Sequence, residues 1–277
     1  MVMEVIFAES MGYCMGVKKA MQMTYNVIEK EKEKRIFTFG PLIHNRSVLE
    51  DLASRGVNIL EDPEKAEGVV IIRAHGVSPE IKKKLEEKAD IVIDATCPRV
   101  LASQKKVKEA SKKGIHIIIA GDRNHGEVKG LAGYAESYDI IENALQAEKL
   151  DLKTPAMLIS QTTFSENEYN LICSALKRNY PDIEIAGSIC PATEKRQKAL
   201  ADMALNVDAV IVIGGKTSAN TKRLYQSAVK LGKKAWHIEN SDEIPDEIRN
   251  FNKVGITAGA STPDWIIKEV ADKLKLY

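Results

Sequence analysis

The chain has 277 residues, of which 44% are apolar and 29% are charged. It is therefore long enough to bury a core and to form more than one domain. Its 40 basic and 39 acidic side chains leave a formal net charge of +1, which gives no electrostatic basis for binding nucleic acid or an anionic membrane surface. No apolar run has the length that a bilayer-spanning helix needs. We expect a cytoplasmic globular protein with no nucleic-acid or membrane partner.

Apolar runs of strand length alternate with longer amphipathic stretches, a pattern typical of α/β proteins. The predicted strands are Glu4–Phe7, Ile36–Phe39, Val69–Arg73, Ile91–Asp94, Ile115–Ala120, Ala156–Ser160, Ile183–Ala186, Ala209–Ile213, Ala235–Ile238 and Val254–Thr257. The predicted helices are Met15–Glu31, Pro79–Glu87, Pro98–Lys113, Glu166–Arg178, Pro191–Asn206 and Pro263–Lys275. Ser78, Ser165 and Thr262 are predicted to cap the helices that they precede.

Three cysteines mark a faint internal repeat. Cys14, Cys97 and Cys190 each follow a predicted strand and open a predicted helix. One helix and one strand later comes a glycine, and a polar residue stands four positions beyond it. These polar residues are His44, His125 and Ser218.

The repeat predicts three quasi-equivalent α/β domains in a pseudo-threefold arrangement. Their segments are 14–97, 98–190 and 191–277, the last completed by a closing strand from residues 1–13. Ligands of open α/β sheets bind where strand ends meet helix N-termini. All three cysteines and the polar loops occupy that position, so we expect them to converge on one site.

The cysteine positions favour a metal centre over a structural role. A helix N-terminus stabilises a thiolate, the form of cysteine that binds metals. Three thiolates are one fewer than the four that usually hold a cubane iron–sulfur cluster, so one iron would stay open. Zinc is the rival, but its ligands usually come in close cysteine pairs, which this sequence lacks. Cys173 lies within a predicted helix and is interpreted as structural.

The predicted loops also carry many hydrogen-bond donors. Three of the five histidines fall there, whereas His116 and His237 are interpreted as structural or solvent-exposed. The loop residues concerned are His44, Asn45, His75, His125, Thr162, Thr163, Ser218, Asn220 and Ser261. A diphosphate offers many acceptor oxygens and strong negative charge, so it suits this donor set. Glu127, two residues beyond His125, is the best available proton donor for a reaction at this site.

Eight short motifs, in order along the chain, resemble those of the 4-hydroxy-3-methylbut-2-enyl diphosphate reductase family, also called IspH or LytB. The motifs are Gly12–Val17, Gly40–Asn45, Arg73–Gly76, Asp94–Pro98, His125–Val128, Gln161–Thr163, Ile189–Thr193 and Gly259–Pro263. One departure is Ala219, which stands where many members have a second serine.

The resemblance implies a three-domain trefoil around a [4Fe–4S] cluster with three cysteine ligands and one open iron that takes the substrate hydroxyl. It implies reduction of an allylic alcohol diphosphate, with loss of water, to isopentenyl and dimethylallyl diphosphates, the last step of the non-mevalonate pathway. Cys14, Cys97 and Cys190 match the family's cluster ligands. Glu127 matches the acid that relays protons, with His125 beside it, and Thr162 matches a residue that orients the hydroxyl. The positions that match diphosphate ligands are His44, His75, His125, Ser218, Asn220 and Ser261.

Two alternatives stay open at this point. One is another three-cysteine [4Fe–4S] enzyme of a build like that of quinolinate synthase. The other is a phosphate-ligand binding module without a redox centre. For the reductase we expect an electron donor such as ferredoxin or flavodoxin, and the sequence does not distinguish between these two.

Overall fold

A computed structural model of the chain describes residues 3–152 and 155–277, and it is an α/β structure. The α-helices in these residues are α1 (Met15–Lys30), α2 (Arg46–Ser54), α3 (Pro79–Lys88), α4 (Pro98–Ser111), α5 (Gly126–Ala132), α6 (Ala144–Glu148), α7 (Glu166–Asn179), α8 (Pro191–Ala204), α9 (Ala219–Lys230) and α10 (Asp264–Leu274). Among these helices, none combines the length and apolar character that a bilayer-spanning segment requires.

The β-strands form three four-stranded sheets, and every strand pair is parallel. The strands are β1 (Glu4–Phe7), β2 (Ile36–Phe39), β3 (Val57–Leu60), β4 (Val69–Ile72), β5 (Ile91–Asp94), β6 (His116–Ala120), β7 (Tyr138–Ile141), β8 (Ala156–Ser160), β9 (Glu184–Ile185), β10 (Ala209–Ile213), β11 (Lys234–Ile238) and β12 (Lys253–Ala258). The three sheets have the orders β3-β2-β4-β5, β7-β6-β8-β9 and β11-β10-β12-β1. The order is the same each time, which confirms the predicted threefold α/β repetition.

The third sheet is assembled from both ends of the chain. Strand β1 pairs in parallel with β12, with Val5 opposite Val254 and Phe7 opposite Ile256. Two strands of this sheet, β10 and β12, lie between neighbours on both sides, and every residue of β10 is buried. Strands of parallel sheets that are covered on both faces consist of continuous apolar runs, as β10 does. The N-terminal segment thus supplies an edge strand of this sheet.

Two strands were not predicted, β3 and β7, and both lie at sheet edges. Ile59 of β3 is 47% exposed and Tyr138 of β7 is 46% exposed. An edge strand has a neighbour on one side only and is partly solvated, so its sequence need not be a continuous apolar run. The periodic signal that identified the inner strands is therefore weak in these two segments.

Two of the three predicted helix caps are confirmed. The Ser78 hydroxyl accepts a hydrogen bond from the Ile81 N–H, and the Ser165 hydroxyl accepts one from the Glu168 N–H. The prediction for Thr262 is wrong. Its hydroxyl is fully buried and donates to the Ile213 carbonyl oxygen at the end of β10 (3.0 Å). Helix α10 begins one residue later than predicted, so Pro263 and not Thr262 occupies the N-cap position. The Thr262 hydroxyl instead gives the Ile213 carbonyl oxygen a second donor beside the Gly259 N–H (2.9 Å).

The described chain forms two compact units. The first comprises residues 3–18, Ile43–Ser54 and Pro191–Tyr277, and it contains the β11-β10-β12-β1 sheet. The second comprises Lys19–Leu42 and residues 55–152 and 155–190, and it contains the other two sheets. Each sheet lies within one of the three predicted segments, but the domain boundaries 14–97, 98–190 and 191–277 stay a prediction. Met1 and Val2 of segment 1–13 and residues 153–154 lie outside the described residues.

Replacing Ile256 by Ala tests whether β12 is an interior strand. Ile256 is fully buried in β12, so the truncation leaves a cavity and should lower the free energy of unfolding by about 3 kcal/mol. Urea denaturation measures this loss. Leu205→Ala is the matched control, because Leu205 is 82% exposed and its truncation should change the free energy by less than about 0.5 kcal/mol. Equal losses in the two variants would contradict this placement.

Candidate active site

The three cysteines occupy equivalent corners of the three sheets. Each follows the strand at one edge of its sheet, β1, β5 or β9, and directly precedes α1, α4 or α8. The backbone N–H of each cysteine donates to a carbonyl oxygen in the loop that follows the neighbouring strand. These bonds run from Cys14 to Ala260 (3.2 Å), from Cys97 to Ala74 (3.0 Å) and from Cys190 to Thr162 (2.8 Å). The next residues in those loops are Ser261, His75 and Thr163, so each cysteine is tied to a predicted substrate ligand.

The environment of these cysteines suits metal-bound sulfur. The Cys14 Sγ accepts a hydrogen bond from the Val17 N–H at the start of α1 (3.4 Å). Cys97 is the N-cap residue of α4, with Pro98 in the first turn. All three thiols are partly accessible, and no disulfide joins any cysteine of residues 3–152 and 155–277. Backbone N–H donors at a sulfur and restricted solvent access are features that tune cluster sites.

Cys173 differs from the other three cysteines. It lies inside α7 and packs against the core of its sheet, which includes Tyr169 and Leu176. Burial raises the pKa of the Cys173 thiol, and burial also raises the pKa of Tyr169. A thiol with a raised pKa carries less thiolate and is therefore a poorer nucleophile and a poorer metal ligand. The structure agrees with the interpretation of Cys173 as structural.

Asp94 fixes the turn that leads into Cys97. Its carboxylate accepts hydrogen bonds from the Lys82 Nζ (2.8 Å) and from the Thr96 N–H (3.0 Å). Burial by itself opposes ionisation of Asp94, but the bonds from Lys82 and Thr96 outweigh it and lower the Asp94 pKa. The turn before the cysteine is therefore held by an ionised carboxylate.

Glu127 and Thr162 form a buried pair in the second unit. Glu127 is buried, with only 1% of its surface exposed. Its two oxygens accept hydrogen bonds from the Thr162 N–H (2.6 Å) and the Thr162 hydroxyl (2.8 Å). The carboxyl group is thus fixed against the loop that also holds the Cys190 N–H. The predicted acid and the predicted orienting hydroxyl are brought together.

Two histidines accompany this pair. The His125 Nδ1 accepts a hydrogen bond from the Glu127 N–H (3.2 Å) and so caps α5. A neutral imidazole that accepts through Nδ1 carries its proton on Nε2, which makes Nε2 a donor. The His75 ring meets the His125 ring edge to face, with the centroids 5.0 Å apart. Thr163, in the neighbouring loop, accepts a hydrogen bond from the Gln161 amide (3.0 Å).

The first unit holds the other predicted ligands around three of its loops. The Ser261 hydroxyl donates to the His44 carbonyl oxygen (3.1 Å), and the Thr217 hydroxyl lies 3.4 Å from the His44 Nδ1. The backbone of Gly215 passes so close to the His44 carbonyl that a Cβ at position 215 would overlap it. Only glycine fits there, and the loops that carry His44, Ser218 and Ser261 are packed together as a result.

Asn45 and Ser218 cap helices with their acceptor atoms. The Asn45 Oδ1 accepts a hydrogen bond from the Val48 N–H of α2 (3.2 Å), and the Ser218 hydroxyl accepts one from the Thr221 N–H of α9 (3.3 Å). The buried Nδ2 of Asn220 has no hydrogen-bond partner within the described part of the chain. An unsatisfied buried donor is destabilising by about 1–3 kcal/mol. A phosphate oxygen would satisfy it.

The structure therefore groups the predicted site residues in two sets. The first unit contains Cys14, His44, Asn45, Ser218, Asn220 and Ser261. The second unit contains His75, Cys97, His125, Glu127, Thr162, Thr163 and Cys190. Within each unit, these residues lie in loops at the carboxyl ends of the strands, except Glu127 and Asn220, which lie in the first turns of α5 and α9. Their convergence on one common centre stays a prediction.

Two histidines outside these loops have structural roles. The His116 ring nitrogens lie 2.6 Å from the Ser137 hydroxyl and 2.9 Å from the Asp139 carboxylate. The His237 Nε2 lies 2.8 Å from the Gly214 carbonyl oxygen, and burial lowers the His237 pKa. Both rings contact residues of, or next to, a neighbouring strand, which agrees with the structural one of the two roles considered for them.

Sequence analysis missed Arg196, which is 4% exposed in α8. Its guanidinium donates to the Gly12 carbonyl oxygen (2.6 Å) and to the Ala192 carbonyl oxygen (2.8 Å). Gly12 lies two residues before Cys14, and Ala192 lies two residues after Cys190. The only signal in the sequence is an arginine on the otherwise apolar face of an amphipathic helix, which alone does not indicate a partner.

Comparisons with known proteins agree on one family. Residues 5–275 match the family model described as "LytB protein". The 4-hydroxy-3-methylbut-2-enyl diphosphate reductase of Treponema denticola is 48% identical, over 96% of this chain and 97% of that protein. The structure of the E-1-hydroxy-2-methyl-but-2-enyl-4-diphosphate reductase from Plasmodium falciparum superposes with a TM-score of 0.92 at 29% identity, over 98% of this chain and 88% of the other.

A second solved structure is described as (E)-4-hydroxy-3-methyl-but-2-enyl diphosphate reductase, the terminal enzyme of the non-mevalonate pathway. It is 35% identical to this chain, the alignment covers 100% of both chains, and the TM-score is 0.72. The sequence matches and the structural matches therefore concern proteins of the same description.

Replacing Asp94 by Asn tests the turn before Cys97. Because folding lowers the Asp94 pKa, its ionised form stabilises the fold above the unfolded value of about 3.9, and this contribution is lost as the pH falls through the folded value. The variant should be less stable than the parent above about pH 5, and the difference should shrink below about pH 4. Urea denaturation from pH 3 to pH 6 measures it.

The control is Asp246→Asn, because the Asp246 side chain is 98% exposed. The free energy of unfolding of this variant should stay close to that of the parent at every pH. A difference for Asp94→Asn that does not change with pH would show that the Asp94 charge does not hold the turn.

Proposed function

The chain belongs to the LytB protein family, and from this membership we propose that it reduces 4-hydroxy-3-methylbut-2-enyl diphosphate, the terminal reaction of the non-mevalonate pathway. The substrate takes up two electrons and two protons, loses its hydroxyl group as water, and yields isopentenyl and dimethylallyl diphosphates. The observation that carries the proposal is the shared geometry of Cys14, Cys97 and Cys190. A backbone hydrogen bond holds each of them beside a loop that carries polar residues assigned to the substrate.

The cofactor of this family is an iron–sulfur centre, and the residues present fit one. Three thiols precede helices, are partly accessible and form no disulfide in the described residues. We assign Cys14, Cys97 and Cys190 as ligands of a [4Fe–4S] cluster with one iron that has no cysteine ligand. When bound, the cluster supplies electrons and an open coordination position for the substrate hydroxyl.

Glu127 is assigned as the proton donor. Its carboxyl group is buried and fixed by both hydrogen bonds from Thr162, so a proton held there is delivered from a defined place. The Thr162 hydroxyl lies 2.8 Å from the Glu127 Oε2, where it orients the substrate hydroxyl toward the acid. One of the two protons leaves with the hydroxyl as water, and the other is added to the allyl carbon skeleton.

The diphosphate group is assigned to the polar loops. Its oxygens are acceptors, so the donors that matter are the imidazole N–H groups, the Asn220 Nδ2 and the serine and threonine hydroxyls. The set comprises His44, Asn45, His75, His125, Thr163, Ser218, Asn220 and Ser261. To donate to the diphosphate, the Ser261 hydroxyl must give up its bond to the His44 carbonyl oxygen. The unsatisfied Nδ2 of Asn220 supports this assignment most directly.

The reaction needs an external source of electrons, since the substrate supplies none. An acidic electron-transfer protein such as ferredoxin or flavodoxin fits this need, and a cytoplasmic location is consistent with such a partner. Neither the quinolinate-synthase-like alternative nor the binding module without a redox centre is supported by the family membership.

Single Cys→Ser changes at positions 14, 97 and 190 should each reduce the bound iron and abolish turnover, because each removes one cluster ligand. Iron and sulfide analysis after anaerobic reconstitution measures the first effect, and the brown absorbance provides a second readout. Cys173→Ser is the matched control and should retain the parent's iron content. Parent protein that stays colourless after reconstitution would refute the cluster assignment.

Glu127→Gln should lower the rate of substrate reduction by at least about 100-fold, because it removes the proton and keeps the shape of the side chain. Turnover with a chemical reductant measures this, with iron content as a check on the cluster. Glu168→Gln is the control, since the Glu168 carboxylate also accepts a backbone N–H bond, from Ala144 (3.0 Å), but lies outside the predicted site. Equal rates in Glu127→Gln and the parent would exclude Glu127 as the donor.

A further inference from the structure

Arg73 is a cation without a counterion in the second unit. It follows β4 directly and stands two residues before His75. Its Nε is buried and has no hydrogen-bond partner among the residues that the structure describes. Burial lowers the Arg73 pKa, and no acidic group in that part of the chain raises it. An arginine remains charged nonetheless, so the protein holds a positive charge here that the residues described do not neutralise.

Two glycines make room for this guanidinium. A Cβ on Gly40 would overlap the Arg73 Nη1, and a Cβ on Gly126 would overlap the Arg73 Nη2. Gly40 has φ +68° and directly follows β2, in the segment that leads to His44. Gly126 is the first residue of α5, between His125 and Glu127. The guanidinium therefore lies against the loop that follows β2 and against the start of α5, and its own backbone lies in the loop that follows β4.

A charge that is partly desolvated and unpaired is unfavourable unless an anion joins it. The guanidinium matches phosphate oxygens in charge and in planar geometry, and it can bind them through two parallel hydrogen bonds. The diphosphate ligands assigned above are imidazoles, amides and hydroxyls, so a permanent positive charge is missing from that set. Arg73 provides this positive charge, and its loop also carries His75, one of the assigned ligands.

We propose that Arg73 recognises the diphosphate group of the substrate, with Gly40 and Gly126 leaving the space that its guanidinium needs. This inference rests on the proposed function, because it assigns one more residue to the same substrate. A purely structural role, in which Arg73 only joins two loops, differs in its consequences. It would affect the stability of the fold and leave the dependence of diphosphate affinity on salt unchanged.

The experiment compares the binding of inorganic diphosphate by isothermal titration calorimetry in the cluster-loaded parent and in Arg73→Met, at several salt concentrations. Loss of one charged ligand should weaken binding by at least about tenfold and make the salt dependence shallower. Arg73→Lys, which keeps the charge and loses the planar fork, should fall between the two. Arg35→Met is the control, because Arg35 is exposed and pairs with Glu67, and it should bind like the parent.

Steady-state turnover provides the second readout. Arg73→Met should raise KM for the hydroxymethylbutenyl diphosphate by at least about tenfold with a much smaller change in kcat and unchanged iron content. Should Arg73→Met fail to fold, Arg73→Gln replaces it, with the same loss expected. Parent-like affinity and salt dependence in the uncharged variant would overturn the proposal, as would a parent that binds no inorganic diphosphate. Failure of the proposed function would give a different result: the parent protein would bind diphosphate but would not reduce the substrate.

Discussion

The backbone hydrogen bond made by each cysteine N–H is the constraint on which the arrangement of the site depends. In every sheet, the edge strand that ends before the cysteine runs parallel to a strand whose following loop carries the acceptor carbonyl. Parallel neighbours end at the same edge of a sheet. A cysteine and a polar residue, distant in sequence, are thereby held beside one another: Cys14 with Ser261, Cys97 with His75, and Cys190 with Thr163. The fold repeats this pairing three times.

Several of the polar side chains proposed to bind the substrate also stabilise the fold, and they do so with different atoms. Asn45, His125 and Ser218 accept backbone N–H bonds at the starts of α2, α5 and α9. Capping uses an oxygen or nitrogen lone pair, and each of these side chains also has a donor. Because a diphosphate takes hydrogen bonds from donors, capping and substrate binding do not compete. The same bond that begins each helix also fixes the direction in which the donor points.

The sequence predicted those parts of the molecule that carry a periodic or repeated signal. The inner strands, the position of the cysteines before α1, α4 and α8, and the closing role of β1 were all accessible in this way. Strands β3 and β7 were missed because each is a short, partly solvated edge strand with a polar residue inside it, Asn58 or Asp139, although the other edge strands were predicted. The contacts of Arg73 and Arg196 depend on loops far apart in the chain, and no local pattern encodes them.

The pairing of β1 with β12 sets an order of events during synthesis. A nascent chain emerges from its N-terminus, and segments fold as their partners become available. Cys14 leaves the ribosome early, but the Ala260 carbonyl that holds its backbone belongs to the loop after β12. The first of the three proposed cluster ligands to be translated is thus the last to be positioned. On this assignment, the cluster is loaded only after nearly complete translation.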